Sequence, residues 1–279
     1  MHKIPQELEK IPRTFRRPSL FPGRLEEFHY QTKDALDLSR SLTKRALVYL
    51  PYGYDERQPY DIVYLSHGGW STEETLMGSV TAPDSFKNVI DHSIAMGKIK
   101  PMIIVLVTYN NRTSKDSWNY GLAIELTQRF HRELTEDLLP QLEGHYSTYA
   151  QSNSPADLKA ARLHRGFAGF SMGSVNTWRT FEHALDYFNY FMPMSGNVST
   201  PKQVFEETAL ASQQPFFIFA MSGDRDFAYQ AFKTQVLNLE GTVFRFGDNE
   251  SEGNLAFREM PGYQHDKKAA DTYTQIIHF

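Results

Sequence analysis

Short apolar runs alternate with amphipathic helical patterns along most of this chain. The run from Met102 to Val107 is continuous, as is typical of a strand buried on both faces of a parallel sheet. Elsewhere, residues at four-residue spacing would form one apolar stripe on a helix: Leu122, Leu126, Phe130, Leu134 and Leu138. Pro140 should end or kink that helix. This alternation predicts an α/β protein, with a mostly parallel central sheet flanked by helices.

The same patterns predict the bounds of the elements. Strands are expected at 27–32, 43–50, 61–66, 102–108, 166–170, 190–194, 215–220 and 256–260, and further helices at 83–96, 172–184, 227–239 and 267–278. The polar segment 146–164 is expected to be a surface excursion. Residues 1–25, rich in arginine and proline, are predicted to be an N-terminal arm or linker, and 26–279 a single catalytic domain.

Composition excludes several functional classes. The absence of cysteine among 279 residues excludes disulfide scaffolds, thiolate metal sites and cysteine nucleophiles. The net charge of −4 gives no electrostatic footprint for nucleic acid, so no nucleic-acid partner is expected. The longest apolar run is far shorter than the ~20 residues of a membrane-spanning helix, so no membrane partner is expected either.

The N-terminus carries no apolar stretch like that of a signal peptide. Because the chain begins with Met1, a cytoplasmic location is expected. A leader removed from the sequence would instead indicate a secreted protein.

The main chemical signal is the sequence Gly-Phe-Ser-Met-Gly that ends at Gly173. It follows a predicted strand and precedes a predicted helix, which is the context of a nucleophile elbow. In such a turn the serine, here Ser171, projects its hydroxyl away from the sheet, and the N–H of Met172 faces a developing oxyanion. An ordinary glycine-containing strand–helix turn is the alternative.

An elbow of this kind predicts an acid and then a histidine later in the chain. Three histidines follow Ser171. His183 lies in or just beyond the helix that starts at the serine, and His278 is the penultimate residue. His265 follows the last predicted strand in a loop, so it is the predicted general base.

Two aspartates follow the strand before that loop, in the sequence Ser-Gly-Asp-Arg-Asp. Asp224 and Asp226 are both eligible on position to orient the histidine. The other would then be a turn or helix-cap carboxylate. Position alone does not separate them.

The second oxyanion donor should come from the loop after the third strand, which reads His67-Gly68-Gly69-Trp70. Two adjacent glycines let backbone N–H groups approach a ligand closely. The N–H of Gly69 or of Trp70 is therefore the predicted donor, and His67 is expected to be structural.

Several motifs in this order resemble the feruloyl esterase modules of clostridial and rumen xylanases, in carbohydrate esterase family one. They are Val48-Tyr49-Leu50-Pro51-Tyr52-Gly53-Tyr54-Asp55, Tyr64-Leu65-Ser66-His67-Gly68-Gly69, His164-Arg165-Gly166-Phe167-Ala168-Gly169-Phe170-Ser171-Met172-Gly173 and Tyr190-Phe191-Met192-Pro193-Met194-Ser195-Gly196. The resemblance runs from about residue 40 to the C-terminus and implies an α/β-hydrolase fold. It favours Asp226, because Phe227-Ala228-Tyr229 follows it as in the family.

The resemblance implies a serine carboxylesterase that hydrolyses hydroxycinnamoyl (feruloyl-type) esters of plant cell-wall saccharides, with no cofactor or metal. The implied triad is Ser171, Asp226 and His265. Trp70, Trp118 and Tyr120 are candidate walls of the substrate pocket. Related hydrolases of acetyl esters, S-formylglutathione-type thioesters or siderophore esters are the nearer alternative, and a non-catalytic binding module of this fold is the other.

The sequence departs from the family at two places. Ser174 stands where the family usually has glycine, and Asp266-Lys267-Lys268 follows His265 where the xylanase modules tend to have aromatic residues. These departures concern the acyl or sugar specificity.

Overall fold

A computed structural model describes residues 4–275 and 277 of the chain. Within these residues eight strands form one sheet: β1 (Arg24–Asp34), β2 (Asp37–Leu50), β3 (Asp61–Ser66), β4 (Met102–Val107), β5 (Arg165–Phe170), β6 (Tyr190–Met194), β7 (Phe217–Gly223) and β8 (Leu255–Met260). Their spatial order is β1-β2-β4-β3-β5-β6-β7-β8. The strands β1, β2 and β4 pair antiparallel, and every pairing from β4 to β8 is parallel. The predicted α/β fold with a mostly parallel sheet is confirmed.

The helices lie between the strands in the chain. They are α1 (Ser85–Ala95), α2 (Tyr120–Arg132), α3 (Leu139–Glu143), α4 (Pro155–Ala160), α5 (Met172–Ala184), α6 (Lys202–Ser212) and α7 (Tyr229–Asn238). Short 3-10 segments occur at Arg13–Arg16, Asp116–Trp118, Arg162–His164 and Lys267–Gln275. The predicted helix at 267–278 is thus a 3-10 segment up to Gln275, and His278 lies outside the described residues.

Strand β4 explains why its sequence is apolar throughout. Ile103, Val105 and Val107 pack into one hydrophobic cluster, and the alternate residues of the strand pack into a second cluster. Successive side chains of a strand point to opposite faces, so both faces of this strand are buried. The first cluster includes side chains of α2 and α5, such as Trp178, and the second includes side chains of α1, such as Phe86.

Pro140 was expected to end or kink the long amphipathic helix, and it does not end it. Six residues of π-helix, Glu133–Leu138, follow α2, and α3 then carries the helix through Pro140 to Glu143. The N–H of Leu139 bonds to the carbonyl of Leu134, five residues back. This wider turn changes the winding just before the proline, whose ring would otherwise collide with the preceding helical turn.

The segment 146–164, expected to be a surface excursion, contains the short helix α4. Ser154 caps this helix by accepting a hydrogen bond from the N–H of Asp157, and Pro155 occupies its first turn. Leu158 is buried. The signal for the start of this helix, Ser154-Pro155, was therefore present in the sequence. A helix of six residues carries too few apolar residues to show the 3.6-residue period of a helix.

The N-terminal segment lies against the body of the protein. Ile4, Leu8 and Phe15 are buried, and the ring of Phe15 stacks on His92 of α1. Arg16 forms an ion pair with buried Asp271. The division into an arm (1–25) and a catalytic domain (26–279) remains a prediction.

Within the described part of the chain, no helix combines the length and apolar character needed to cross a bilayer.

Candidate active site

Ser171 lies in the sharp turn between β5 and α5. Its backbone φ is 59°, a left-handed conformation that costs a non-glycine residue of order 1–3 kcal/mol. A Cβ at Gly169 would lie 2.1 Å from the carbonyl oxygen of Gly173, and a Cβ at Gly173 would lie 2.1 Å from that of Ser66. Both positions therefore require glycine, which lets α5 start this close to the strands and holds the serine in its strained turn.

The loops after β5, β7 and β8 bring three of the predicted residues together. The Oγ of Ser171 lies 2.8 Å from Nε2 of His265. The Nδ1 of His265 lies 2.9 Å from each carboxylate oxygen of Asp226. Since a carboxylate can only accept, Nδ1 carries the proton, and Nε2 is free to accept the proton of the serine hydroxyl.

The two candidate aspartates have different partners. Asp226 contacts His265 and is buried, whereas Asp224 is exposed and accepts a hydrogen bond from the N–H of Gly262 at 2.7 Å. Asp224 thus fastens the turn that precedes His265. A Cβ at Gly223 would lie 2.3 Å from the carbonyl oxygen of Tyr263. This glycine therefore allows the loop after β7, which carries Asp226, to contact the loop after β8, which carries His265.

The surroundings of Asp226 favour its charged form. Burial raises the pKa of Asp226, but hydrogen bonds from the His265 imidazole and the Ala228 N–H outweigh it and lower the pKa below its ordinary value. The aromatic rings of Phe170 and Phe227 lie 4.6 and 4.3 Å from the imidazole. The histidine is therefore held by the carboxylate at one nitrogen and by two rings.

Two of the three proposed oxyanion donors are free. In the described part of the chain the N–H groups of Met172 and Gly69 have no hydrogen-bond partner. The N–H of Trp70 instead donates to the carbonyl of Ser117 at 3.0 Å. Of the two alternatives for the second donor, the geometry therefore favours Gly69 over Trp70, and the assignment of the oxyanion donors stays a prediction.

A cavity of about 200 Å³ opens beside Ser171. It is lined by His67, Gly68, Gly69, Trp70, Ser71, Thr75, Leu76, Phe170, Ser171, Phe227, His265 and Lys267. Of the three predicted pocket walls only Trp70 lines it. Trp118 and Tyr120 are 54% and 64% exposed and do not line this cavity, so their role as walls of the substrate pocket stays a prediction.

Sequence reasoning did not find Phe227 as a wall of this cavity. Its side chain is 82% exposed, although it contacts the ring of His265. The sequence shows only that a phenylalanine follows Asp226; its exposure beside the reactive groups, which is typical of a binding surface, is visible only in the structure.

The remaining histidines are elsewhere. His183 pairs with Glu182 and its ring lies 4.3 Å from that of His131. His67 is buried and its two nitrogens contact Thr108 and the Gly68 carbonyl. Among residues 4–275 and 277, no cluster of three or more histidine or acidic side chains is arranged to bind a metal.

Burial lowers the pKa of His67 to about 4, and the nearby charge of Lys44 acts in the same direction. The imidazole of the unfolded chain has a pKa of about 6.5. Between about pH 6.5 and about pH 4 the unfolded chain therefore binds a proton on His67 that the folded chain does not bind. We expect His67 to cost the protein up to about 3 kcal/mol of unfolding free energy across that interval. Urea unfolding at pH 7 and pH 4.5 measures this loss.

The variant His67→Gln is the matched control, since glutamine does not titrate. It should lose less stability than the unmodified protein between the two pH values. Equal losses would contradict a neutral, buried His67.

The comparisons with known proteins agree with this geometry. A family model described as "Putative esterase" matches residues 42–238, well over half of the chain. The chain belongs to this esterase family. The predictions of a carboxylic ester hydrolase and of an α/β-hydrolase fold are confirmed.

Two curated relatives of this esterase are xylanases. Endo-1,4-beta-xylanase Y of Acetivibrio thermocellus is 35% identical over 233 residues, 80% of this chain and 20% of the relative. Endo-1,4-beta-xylanase/feruloyl esterase of Xylanibacter ruminicola is 28% identical over 218 residues, 72% of this chain and 27% of the relative. The esterase thus spans roughly a fifth to a quarter of the length of these relatives.

A solved structure of similar size is a mutant of the feruloyl esterase module from Clostridium thermocellum, complexed with sinapinate. It has a TM-score of 0.85 and 31% identity, over 97% of this chain and 92% of that one. The resemblance to xylanase feruloyl esterase modules is therefore confirmed.

Proposed function

We propose that this esterase is a serine carboxylesterase that releases hydroxycinnamic acids of the ferulate type from esters of plant cell-wall saccharides. The observation that carries the proposal is the unbroken hydrogen-bonded chain from Ser171 through His265 to buried Asp226, which ends beside a cavity. A serine, an imidazole and a carboxylate in this order are the parts of acyl transfer through a covalent intermediate.

In the first half of the reaction, Ser171 Oγ attacks the ester carbonyl carbon while His265 Nε2 takes its proton. The carbonyl oxygen becomes an oxyanion, which the N–H groups of Met172 and Gly69 stabilise. The bond to the alcohol oxygen then breaks, and His265 delivers the proton to that leaving oxygen. Asp226 keeps the proton on Nδ1 and stabilises the transient imidazolium.

In the second half, water replaces the alcohol. His265 takes a proton from the water as it attacks the acyl-serine, and the collapse of the second tetrahedral intermediate returns that proton to Ser171 Oγ. The products are the free acid and the regenerated hydroxyl. His265 carries the proton in each transfer, so apart from the ester and the water these steps use side chains and backbone groups of this chain.

The substrate class rests on the relatives. One curated relative is named a xylanase and feruloyl esterase, and a solved module of TM-score 0.85 holds sinapinate, a hydroxycinnamate. The lining of the cavity suits such an acyl group, because Leu76, Trp70 and Phe227 offer apolar and aromatic surface. We propose that the aromatic ring of the acid packs there. The cytoplasmic location remains a prediction, and imported feruloylated oligosaccharides are the substrates that match it.

Phe227→Ala tests this placement. We expect kcat/KM for methyl ferulate to fall about threefold to tenfold more than kcat/KM for 4-nitrophenyl acetate, because only the larger acyl group loses an aromatic contact. Comparing the two substrates removes any shared effect on His265, which Phe227 also touches. The measurement is steady-state kinetics of both esters with each variant.

Trp118→Ala is the matched control, because Trp118 is also an exposed aromatic side chain but does not line the cavity. It should leave the ratio of the two kcat/KM values within about twofold of that of the unmodified enzyme. A ratio that responds to Trp118→Ala and not to Phe227→Ala would place the acyl ring elsewhere.

A substrate panel tests the class itself. Methyl ferulate and methyl sinapate should be hydrolysed with a higher kcat/KM than acetylxylan, short aliphatic esters or S-formylglutathione. A preference for acetyl esters, for thioesters or for siderophore esters would replace the proposed substrate and keep the esterase mechanism. No hydrolysis of any ester would favour the binding module.

A further inference from the structure

The carbonyl oxygen of Gly68 receives two hydrogen bonds from side chains. The hydroxyl of Tyr109 donates to it at 2.7 Å, and Nδ1 of His67 lies 2.7 Å from it. A carbonyl oxygen only accepts, so the proton of the neutral His67 is on Nδ1. Both side chains are buried, and their rings lie 4.5 Å apart.

A short segment that follows β4 supports the loop after β3, which contains His67. Thr108, Tyr109 and Asn110 are consecutive, and each holds a different part of the loop after β3. Thr108 Oγ1 lies 2.8 Å from Nε2 of His67, the Tyr109 hydroxyl binds Gly68, and the Asn110 amide donates to the Ser71 carbonyl at 3.0 Å. The loop is thus fastened at both ends and in its middle.

The support is itself anchored in the protein interior. The Nζ of Lys44 donates to the Thr108 carbonyl at 2.9 Å and pairs with buried Glu133. The backbone N–H of Asn110 donates to Thr108 Oγ1, which leaves the Thr108 hydroxyl proton to bond with Nε2 of His67. This polar network fixes His67 in one tautomer and one orientation.

Fixing the carbonyl of Gly68 also fixes the N–H of Gly69, because both groups belong to one peptide bond. The carbonyl of Gly68 and the N–H of Gly69 belong to the same planar trans peptide and point in opposite directions. The loop passes close to the nucleophile, since a Cβ at Gly68 would lie 3.3 Å from Cβ of Ser171. Holding the carbonyl on the side of Tyr109 and His67 therefore holds the free N–H of Gly69 on the opposite side, where the loop lines the cavity.

We propose that Tyr109 and His67 are positioning residues which clamp the Gly68–Gly69 peptide so that its N–H faces the oxyanion. The inference rests on the proposed esterase function. The clamp lowers the barrier in two ways. It removes the need to reorient the donor during the reaction, and two bonds to the carbonyl polarise the amide and strengthen its N–H as a donor.

Tyr109→Phe tests the clamp, because it removes one hydroxyl and keeps the ring. We expect kcat/KM for 4-nitrophenyl acetate to fall about tenfold, less than the ~10²–10³-fold cost of removing an oxyanion donor. The inhibition constant of an aryl trifluoromethyl ketone, which forms a tetrahedral adduct on the serine, should rise by the same factor. The Kd of methyl ferulate, measured with both proteins in a Ser171→Ala background so that no turnover occurs, should stay unchanged, because the carbonyl oxygen of the bound ester carries no negative charge.

Tyr49→Phe is the matched control. The Tyr49 hydroxyl is also buried and donates to Asp91 at 2.8 Å, so its bond joins β2 to α1 and involves neither the loop after β3 nor the turn at Ser171. It should leave both kcat/KM and the inhibition constant unchanged. Thr108→Val, which removes the hydroxyl facing His67, should repeat the effect of Tyr109→Phe in the same direction, so the test does not depend on one variant folding.

The outcomes separate the clamp from the esterase function. Ester hydrolysis retained by Ser171→Ala would overturn the proposed function and the clamp together. Loss of hydrolysis in Ser171→Ala, combined with rates within about twofold of the unmodified enzyme in Tyr109→Phe and Thr108→Val, would overturn the clamp alone. A fall in kcat/KM without a matching rise in the inhibition constant would also overturn it.

Discussion

Replacing Ser171 with alanine should lower kcat for methyl ferulate by at least about 10⁴-fold, because the variant has no atom to form the acyl-enzyme. The strained φ of 59° at this position belongs to the turn, and alanine can occupy it about as well as serine. The variant should therefore fold like the unmodified protein. Steady-state kinetics measures the loss, and thermal unfolding measures the stability.

His265→Ala should give a loss of similar size, since the same proton transfers depend on it. His183→Ala is the matched control, because His183 is the other described histidine after Ser171 and lies away from the nucleophile. It should keep the full rate. Near-full activity in His265→Ala would show that the assignment of the general base is wrong.

Asp226→Asn should lower kcat by about 10³–10⁴-fold with the fold intact. The amide can present an N–H to Nδ1 of His265, which favours the tautomer whose Nε2 carries the proton and cannot act as a base. Asp224→Asn should keep nearly the full rate, because the asparagine oxygen can still accept the hydrogen bond from the N–H of Gly262. The measurement is kcat for the two variants side by side.

These two substitutions make the same chemical change two residues apart, so each serves as the control of the other. A large loss in Asp224→Asn with a small loss in Asp226→Asn would contradict the observed contact between Asp226 and His265.

The sequence predicted the sheet well because the signal is local. A strand buried on both faces, such as β4, shows its burial as an unbroken apolar run. The elbow is local too, since the glycines two residues before and after Ser171 are dictated by contacts of 2.1 Å that any side chain would violate. Local rules of this kind can be read from one chain.

Other features depend on contacts between distant segments. Asp224 and Asp226 are equivalent by position, and only the packing of the loop after β8 shows which carboxylate meets His265. The N–H of Trp70 is occupied by Ser117, 47 residues later in the chain, and no pattern near Trp70 indicates this. The cavity wall formed by Phe227 likewise depends on where the loop after β7 lies.

The most direct test of the central claim is to trap the acyl-enzyme. The enzyme is mixed with excess methyl ferulate, quenched in acid within the first turnovers, digested and analysed by mass spectrometry. We predict one feruloyl group on the peptide that contains Ser171, and none in Ser171→Ala treated in the same way. A feruloyl group on any other residue, or turnover with no acylated serine in the pre-steady state, would contradict the account.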